Sequence, residues 1–140
     1  MMAGLWLAAC QDIDAKDFAP KASKQIPEKL MREIKAKGMT RTSPILVRLY
    51  KEDNVLEVWK QANSGRYEFI QNFAICKMSG KLGPKFIEGD RQAPEGFYSI
   101  TPGQMNPKSS YHLSFNTGYP NAFDRAYGRG GSNLHLFIAH

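Results

Sequence analysis

Few side chains in this chain have the chemistry to attack a carbonyl, carry a proton or grip an anion: two cysteines, three histidines, and a set of polar residues in one Gly- and Pro-rich stretch. A thiolate nucleophile needs a base within about 2.6–3.2 Å and donors facing the developing oxyanion. Cys10 and Cys76 lie far apart, with neither a CxxC pattern nor Cys/His ligand spacing, so no metal site and no cofactor is expected. Cys76 falls in an alternating strand pattern and reads as a small buried hydrophobe rather than a reactive thiol. His112 sits in a strand-like piece and reads as a satisfied histidine, whereas His135 and His140 are the weak candidates for proton transfer. Arg91, in Glu88-Gly89-Asp90-Arg91, has the fork that holds a carboxylate bidentately, with a surface salt bridge as the alternative. Asn116-Thr117-Gly118-Tyr119-Pro120-Asn121, followed by Asp124 and Arg125, is dense turn chemistry. Its amides and the Tyr119 hydroxyl suit the backbone of an extended peptide, and its Asn and Asp equally suit the loop's own backbone. Both readings stay open.

These residues need a scaffold, and residues 79–125 supply a loop-rich one, punctuated by Gly and Pro wherever φ must be positive or fixed. Two short strand-like pieces, 96–101 and 111–115, interrupt it. Phe86, Phe97, Tyr98, Tyr111, Phe115, Tyr119 and Phe123 need burial or a ligand, which predicts an ordered groove wall rather than disorder. Upstream, Ile26-Pro27-Glu28 opens a helix, Ile26, Leu30 and Ile34 form its apolar stripe, and Gly38 ends it. Residues 45–50, 55–59 and 67–77 read as three antiparallel strands joined by polar turns. They form a meander with one buried face, to which Tyr67, Phe69, Phe73 and Ile75 contribute. Residues 133–138 are a further strand. Without helix–strand alternation, a doubly wound nucleotide fold is excluded, and Gly80, Gly83 and Gly89 precede no GxxxxGK[ST] phosphate cradle.

The chain has 140 residues and a net charge of +6, with an apolar fraction typical of a globular domain. The basic residues are dispersed and carry no RNP-like or zinc-finger pattern, so no nucleic-acid partner is expected; a cationic surface equally suits an anionic envelope or polymer.

GDRQAPEGFYSITPGQMNP (89–107) followed by YHLSFNTGYPNAFDRAYGRGGSNL (111–134) resembles the L,D-transpeptidase catalytic (YkuD) domain family, in its YafK-like branch. The resemblance spans about residues 44–134. It implies a mainly β, L,D-transpeptidase-like fold with one short N-terminal helix, incomplete at its C-terminus and occupying residues 26–140 after a linker at 11–25. It implies periplasmic chemistry on the peptide stems of peptidoglycan, with Arg91, Asn116, Tyr119, Asp124 and Arg125 binding substrate. The family's nucleophile comes from a His-Gly pair followed by Ser-x-Gly-Cys. Here the chain reads His135-Leu136-Phe137-Ile138-Ala139-His140, so it is expected to be inactive, with an ending such as a truncation or frameshift would leave. The alternative is a non-catalytic peptidoglycan-binding envelope lipoprotein. Leu7-Ala8-Ala9-Cys10 resembles a bacterial lipobox at the end of a signal remnant (1–10), with Cys10 lipidated as a membrane anchor; Gln11 resembles the outer-membrane sorting signal. The positively charged start of such a signal is missing from residues 1–10, so either the true start lies upstream or export is impaired.

Overall fold

The computed structural model describes residues 24–132 and 134–138. The signal remnant, most of the linker, Cys10 and His140 lie outside the described residues. The chain divides into two compact units: a first from Gln25 to Pro84 with Arg91–Ala93, and a second from Lys85–Asp90 and the chain from Pro94 on. Architecture is mainly β, two antiparallel three-stranded sheets with short helices.

In the first unit, helix α1 (Glu28–Ala36) starts two residues later than its stripe suggests. Pro27 caps it from outside with ψ 138°, an extended conformation that ends the preceding segment. Glu28 complements the positive end and Lys35 the negative end. The stop is a complete Schellman motif: Gly38, at φ 68°, donates to Lys35 O, and Met39 N donates to Ile34 O, both at 3.0 Å. That turn swings Met39 back beside Ile34, and the pair joins Ala62 as the buried cluster, with Leu30, Met31 and Ile70 packed around it.

Strands β1 (Ile45–Tyr50), β2 (Val55–Gln61) and β3 (Tyr67–Ala74) form the expected meander, with Val47 opposite Val58 and Trp59 opposite Phe69. Its turns use left-handed residues, Asn54 at φ 53° and Gly65 at φ 81°. The expected buried face is a correction. Ile70 is the β3 residue that meets the helix cluster, while Tyr67, Phe69 and Phe73 stay exposed. The cause lies partly in an irregularity between Val58 and Trp59, which shifts the β2–β3 register. On the solvent side Trp59 meets Phe69 edge-on at 5.6 Å, and Arg48 lies over both Trp59 and Tyr50. β3 also ends before Cys76: only Ile75 N, donating to Asn54 O at 2.8 Å, extends the pairing. Cys76 is exposed, not buried, because the pleat has already stopped when the chain reaches it.

In the second unit, β4 (Met105–Asn106), β5 (Leu113–Asn116) and β6 (His135–Ile138) pair in that order. The strand expected at 96–101 does not form; the segment leads into a 3₁₀ turn, Pro102–Gln104, held by a Thr101/Gln104 capping box. The strand expected at 111–115 begins at Leu113 because His112 takes φ 73°, which no strand tolerates. A five-residue helix, α2 (Ala122–Ala126), is an element the periodicity did not suggest.

Candidate functional site

The second unit gathers most of the expected site residues along one segment, from the end of β5 through α2 to the glycines before β6. Asn116 closes β5 with an Asx turn, its Oδ1 accepting from Gly118 N at 2.8 Å. Its carbonyl accepts from Gln104 Nε2 at 2.9 Å, while Gln104 Oε1 accepts from Thr101 N at 2.8 Å. Gln104 therefore ties the 3₁₀ turn to the loop. The fit requires a glycine at 118: at φ 77°, a Cβ there would stand 3.0 Å from Gln104 Nε2. Thr117 N donates to Leu134 O at 2.8 Å, joining the loop to the approach to β6.

Tyr119 points inward. Its ring is buried, and its hydroxyl lies 3.1 Å from Lys85 O and 3.2 Å from Gly130 O, between which its single proton is shared. Burial, with the nearby carboxylates of Asp124 and Asp90, raises its pKa. The Tyr119–Pro120 peptide is cis. Behind the loop, Lys85 Nζ pairs with Asp90 Oδ1, and Asp90 Oδ2 accepts from the amides of Phe86 and Ile87 at 2.9 and 3.1 Å. The 85–90 segment is thus folded around its own carboxylate.

Asp124 is the keystone. It is 1% exposed, yet both its oxygens are engaged. Oδ2 accepts from Tyr98 OH at 2.9 Å and from Asn121 N at 3.1 Å; Oδ1 accepts from Arg129 Nη1 at 3.0 Å. Asn121 Oδ1 accepts in return from Asp124 N at 2.9 Å, a reciprocal capping box that starts α2. Burial alone would raise the carboxyl's pKa; the hydrogen bonds from Asn121 and Tyr98, and the Arg129 guanidinium, outweigh it and leave the pKa below the ordinary carboxylate value. Tyr98 is pushed well above the usual phenol range by burial and by its bond to Asp124. Asn121 Nδ2 reaches Phe97 O at 2.9 Å, so the cap also holds the 96–101 segment in place.

The structure thus separates residues that the sequence grouped. Tyr119 and Asp124 spend their polar atoms inside the fold and position the loop. Arg125 is exposed, with Nη1 donating to Pro120 O, and the Asn116 side chain is half-buried. Arg91 is exposed at φ 53° and belongs to the first unit. His135, on β6, sits 3.4 Å from Ser114 Oγ through Nδ1 and stacks on Phe137 at 6.1 Å. Cys76 lines an open concavity of about 540 Å³ in the first unit with Lys51, Lys77 and Lys81, and so belongs to a different unit from His135. Tyr98 and Arg129 were missed as members of the site. Tyr98 reads as another buried aromatic, and Arg129 as a loop cation; the signal that was available is the Asp124 that two such donors would need.

No family model matches the chain. A 92-residue stretch, 66% of the chain, is 41% identical to proteins of two Escherichia coli strains named "Putative L,D-transpeptidase YafK". The chain spans about two fifths of those relatives' length, 37%. Among solved structures, two crystal structures of the helical cell shape determining protein Pgp2 from Campylobacter jejuni superpose with TM-scores of 0.56 and 0.53 at 26% identity. They cover 79% of this chain and 39% and 40% of theirs.

Proposed function

Because the chain belongs to the L,D-transpeptidase-like family of YafK, we propose that its second unit recognises the peptide stems of peptidoglycan and does so without acyl transfer. The observation that supports this reading is the buried Asp124, whose bonds to Tyr98, Asn121 and Arg129 fix the loop and leave Arg125 in solvent. A loop so fixed has little conformational entropy to lose on binding an extended peptide. Asn116 and the loop backbone supply polar contacts to that peptide, Arg125 supplies a cation for a stem carboxylate, and Tyr119 and Asp124 act as positioning residues. In the family's chemistry a Cys thiolate attacks the stem carbonyl and forms an acyl-enzyme. Cys76, in Ile75-Cys76-Lys77, and Cys10, in Ala9-Cys10-Gln11, both stand outside the Ser-x-Gly-Cys motif of that chemistry, so neither is assigned that role.

Incubation with purified sacculi tests the reading. The expected result is retention on sacculi, reduced several-fold by Arg125→Ala, with no released or newly cross-linked muropeptides. Intact-mass spectrometry after carbapenem treatment should show no adduct. Muropeptide products, or an adduct on either cysteine, would make the chain an enzyme.

The same reading places the chain in the cell envelope, tethered through lipid on Cys10. Expressed with a complete secretory signal, the chain is expected to fractionate with membranes and Cys10→Ser to release it, since stable anchoring takes more than one acyl chain. An equally membrane-bound variant refutes the anchor.

A further inference from the structure

A second feature of the same unit lies beside the loop and shares Arg129 with it. Phe86, Phe123 and Tyr127 surround the Arg129 guanidinium, whose central carbon lies over their rings at 5.7, 5.4 and 5.9 Å from the centroids. Phe123 and Tyr127, one helical turn apart, pack at 4.5 Å with 36° between their planes. Arg129 is anchored from beneath by Asp124, its side chain 15% exposed. Gly130 N donates to Phe86 O at 2.7 Å, so the backbone beside Arg129 also tethers the third ring. The rings are therefore held, yet they remain 57%, 56% and 69% exposed. Rings that had only to bury themselves would close inward; these form a rigid cup whose outer surfaces face water.

We propose that this cup seats a sugar ring of the peptidoglycan glycan strand, an inference that rests on the stem-peptide reading above. Three observations point to that occupant. The electron-rich faces of aromatic rings attract weakly positive C–H bonds, and the flat C–H face of a pyranose presents several together. The exposed Arg125 on α2, the helix that also carries Phe123, favours the oxygen-rich rim of a sugar and an acidic polymer over a purely apolar guest. The third is connectivity. Each peptide stem is covalently attached to a sugar, so a surface that grips stems has sugars within the reach of one stem, about 3.3–3.6 Å for each extended residue. The cup begins two residues after the Asn121 cap of α2 and ends within about two helical turns of it, each turn rising about 5.4 Å. Preorganised rings lose little entropy on binding, which is the property a docking platform for a stiff polymer needs.

The full chain is titrated with glycan strands stripped of their stems, with free stem peptides, and with stem-bearing strands. Stripped strands are expected to bind wild type, with Tyr127→Ala weakening them about tenfold and Tyr127→Leu, which keeps apolar bulk without a π face, weakening them to a similar extent. Free stem peptides should bind both variants as they bind wild type, which also reports that the loop is intact. Failure of stripped strands to bind wild type, or binding indifferent to Tyr127, overturns the proposal. Binding of stripped strands without binding of stems would sink the stem-peptide reading and leave the sugar site standing.

Discussion

Replacing Asp124 by alanine is expected to remove about 3–5 kcal/mol of stability, because it leaves the Arg129 guanidinium enclosed without its counter-ion. Since a domain's whole stability is about 5–15 kcal/mol, the second unit should be largely unfolded in the variant. Asp124→Asn should cost less, about 1–3 kcal/mol, through a different cause. Donors from Tyr98, Asn121 and Arg129 converge on two carboxylate oxygens, and an amide replaces one of those acceptors with a donor. Urea denaturation of the variants measures both. Asp124→Ala combined with Arg129→Met should recover part of the loss, because the enclosed charge leaves with its partner. A loss below about 1 kcal/mol for Asp124→Ala would mean that the network is not a structural anchor. The same carboxylate predicts an acid limit. Its folded pKa lies below the ordinary value of 3.8, so the stability it contributes is fully present above that value and is lost as pH falls through the folded pKa. Asp124→Asn should flatten the unfolding free energy across that low-pH window, and an unchanged slope there would assign the acid sensitivity to other carboxylates.

At micromolar concentration the chain is expected to self-associate and to unfold in a broad transition below the usual 45–65 °C range of mesophilic domains. Among the described residues the buried apolar side chains are Ile34, Met39, Ala62 and Tyr119, while Phe97 is 96% exposed and Ile45 60%. Each large apolar side chain left in water forfeits about 1.5–3 kcal/mol, so several together rival the whole stability of a domain. β1 adds a second hazard. It is an edge strand whose residues Ile45, Leu46, Val47 and Leu49 are all exposed, with Arg48 as the one charge among them. Sedimentation velocity and calorimetry decide the matter. A monodisperse monomer with one sharp transition above that temperature range would show that these surfaces are tolerated without a partner.

Local pattern carried much of the first unit. The period of Leu30 and Ile34, and Gly38 at the end of the run, specify a helix and its stop because both rest on contacts within four or five residues. The meander was legible for the same reason: strand propensity, and turns that need left-handed residues such as Asn54 and Gly65. In the second unit the same reasoning found the turn-rich stretch at 116–121, where Asn116 makes a two-residue Asx contact, but not α2, whose five residues are too few to show a period.

What the sequence determined by itself, then, is the set of elements that hydrogen bonds between near neighbours can specify, together with the family kinship that its loop motifs announce. Tertiary structure alone decided which β3 side chains are covered, since an irregularity in the ladder puts Phe69, opposite Trp59, and Phe73, opposite Leu56, on different faces and leaves Ile70 to meet the helix cluster, in a way no alternation of residue types records. It alone decided that Cys76 lies in solvent, because strand endings depend on a partner strand. And it alone turned Asp124 from a candidate ligand contact into the anchor of the loop. The Tyr98 that meets it stands 26 residues away in sequence, and burial of a charge is settled by which distant groups fold in around it.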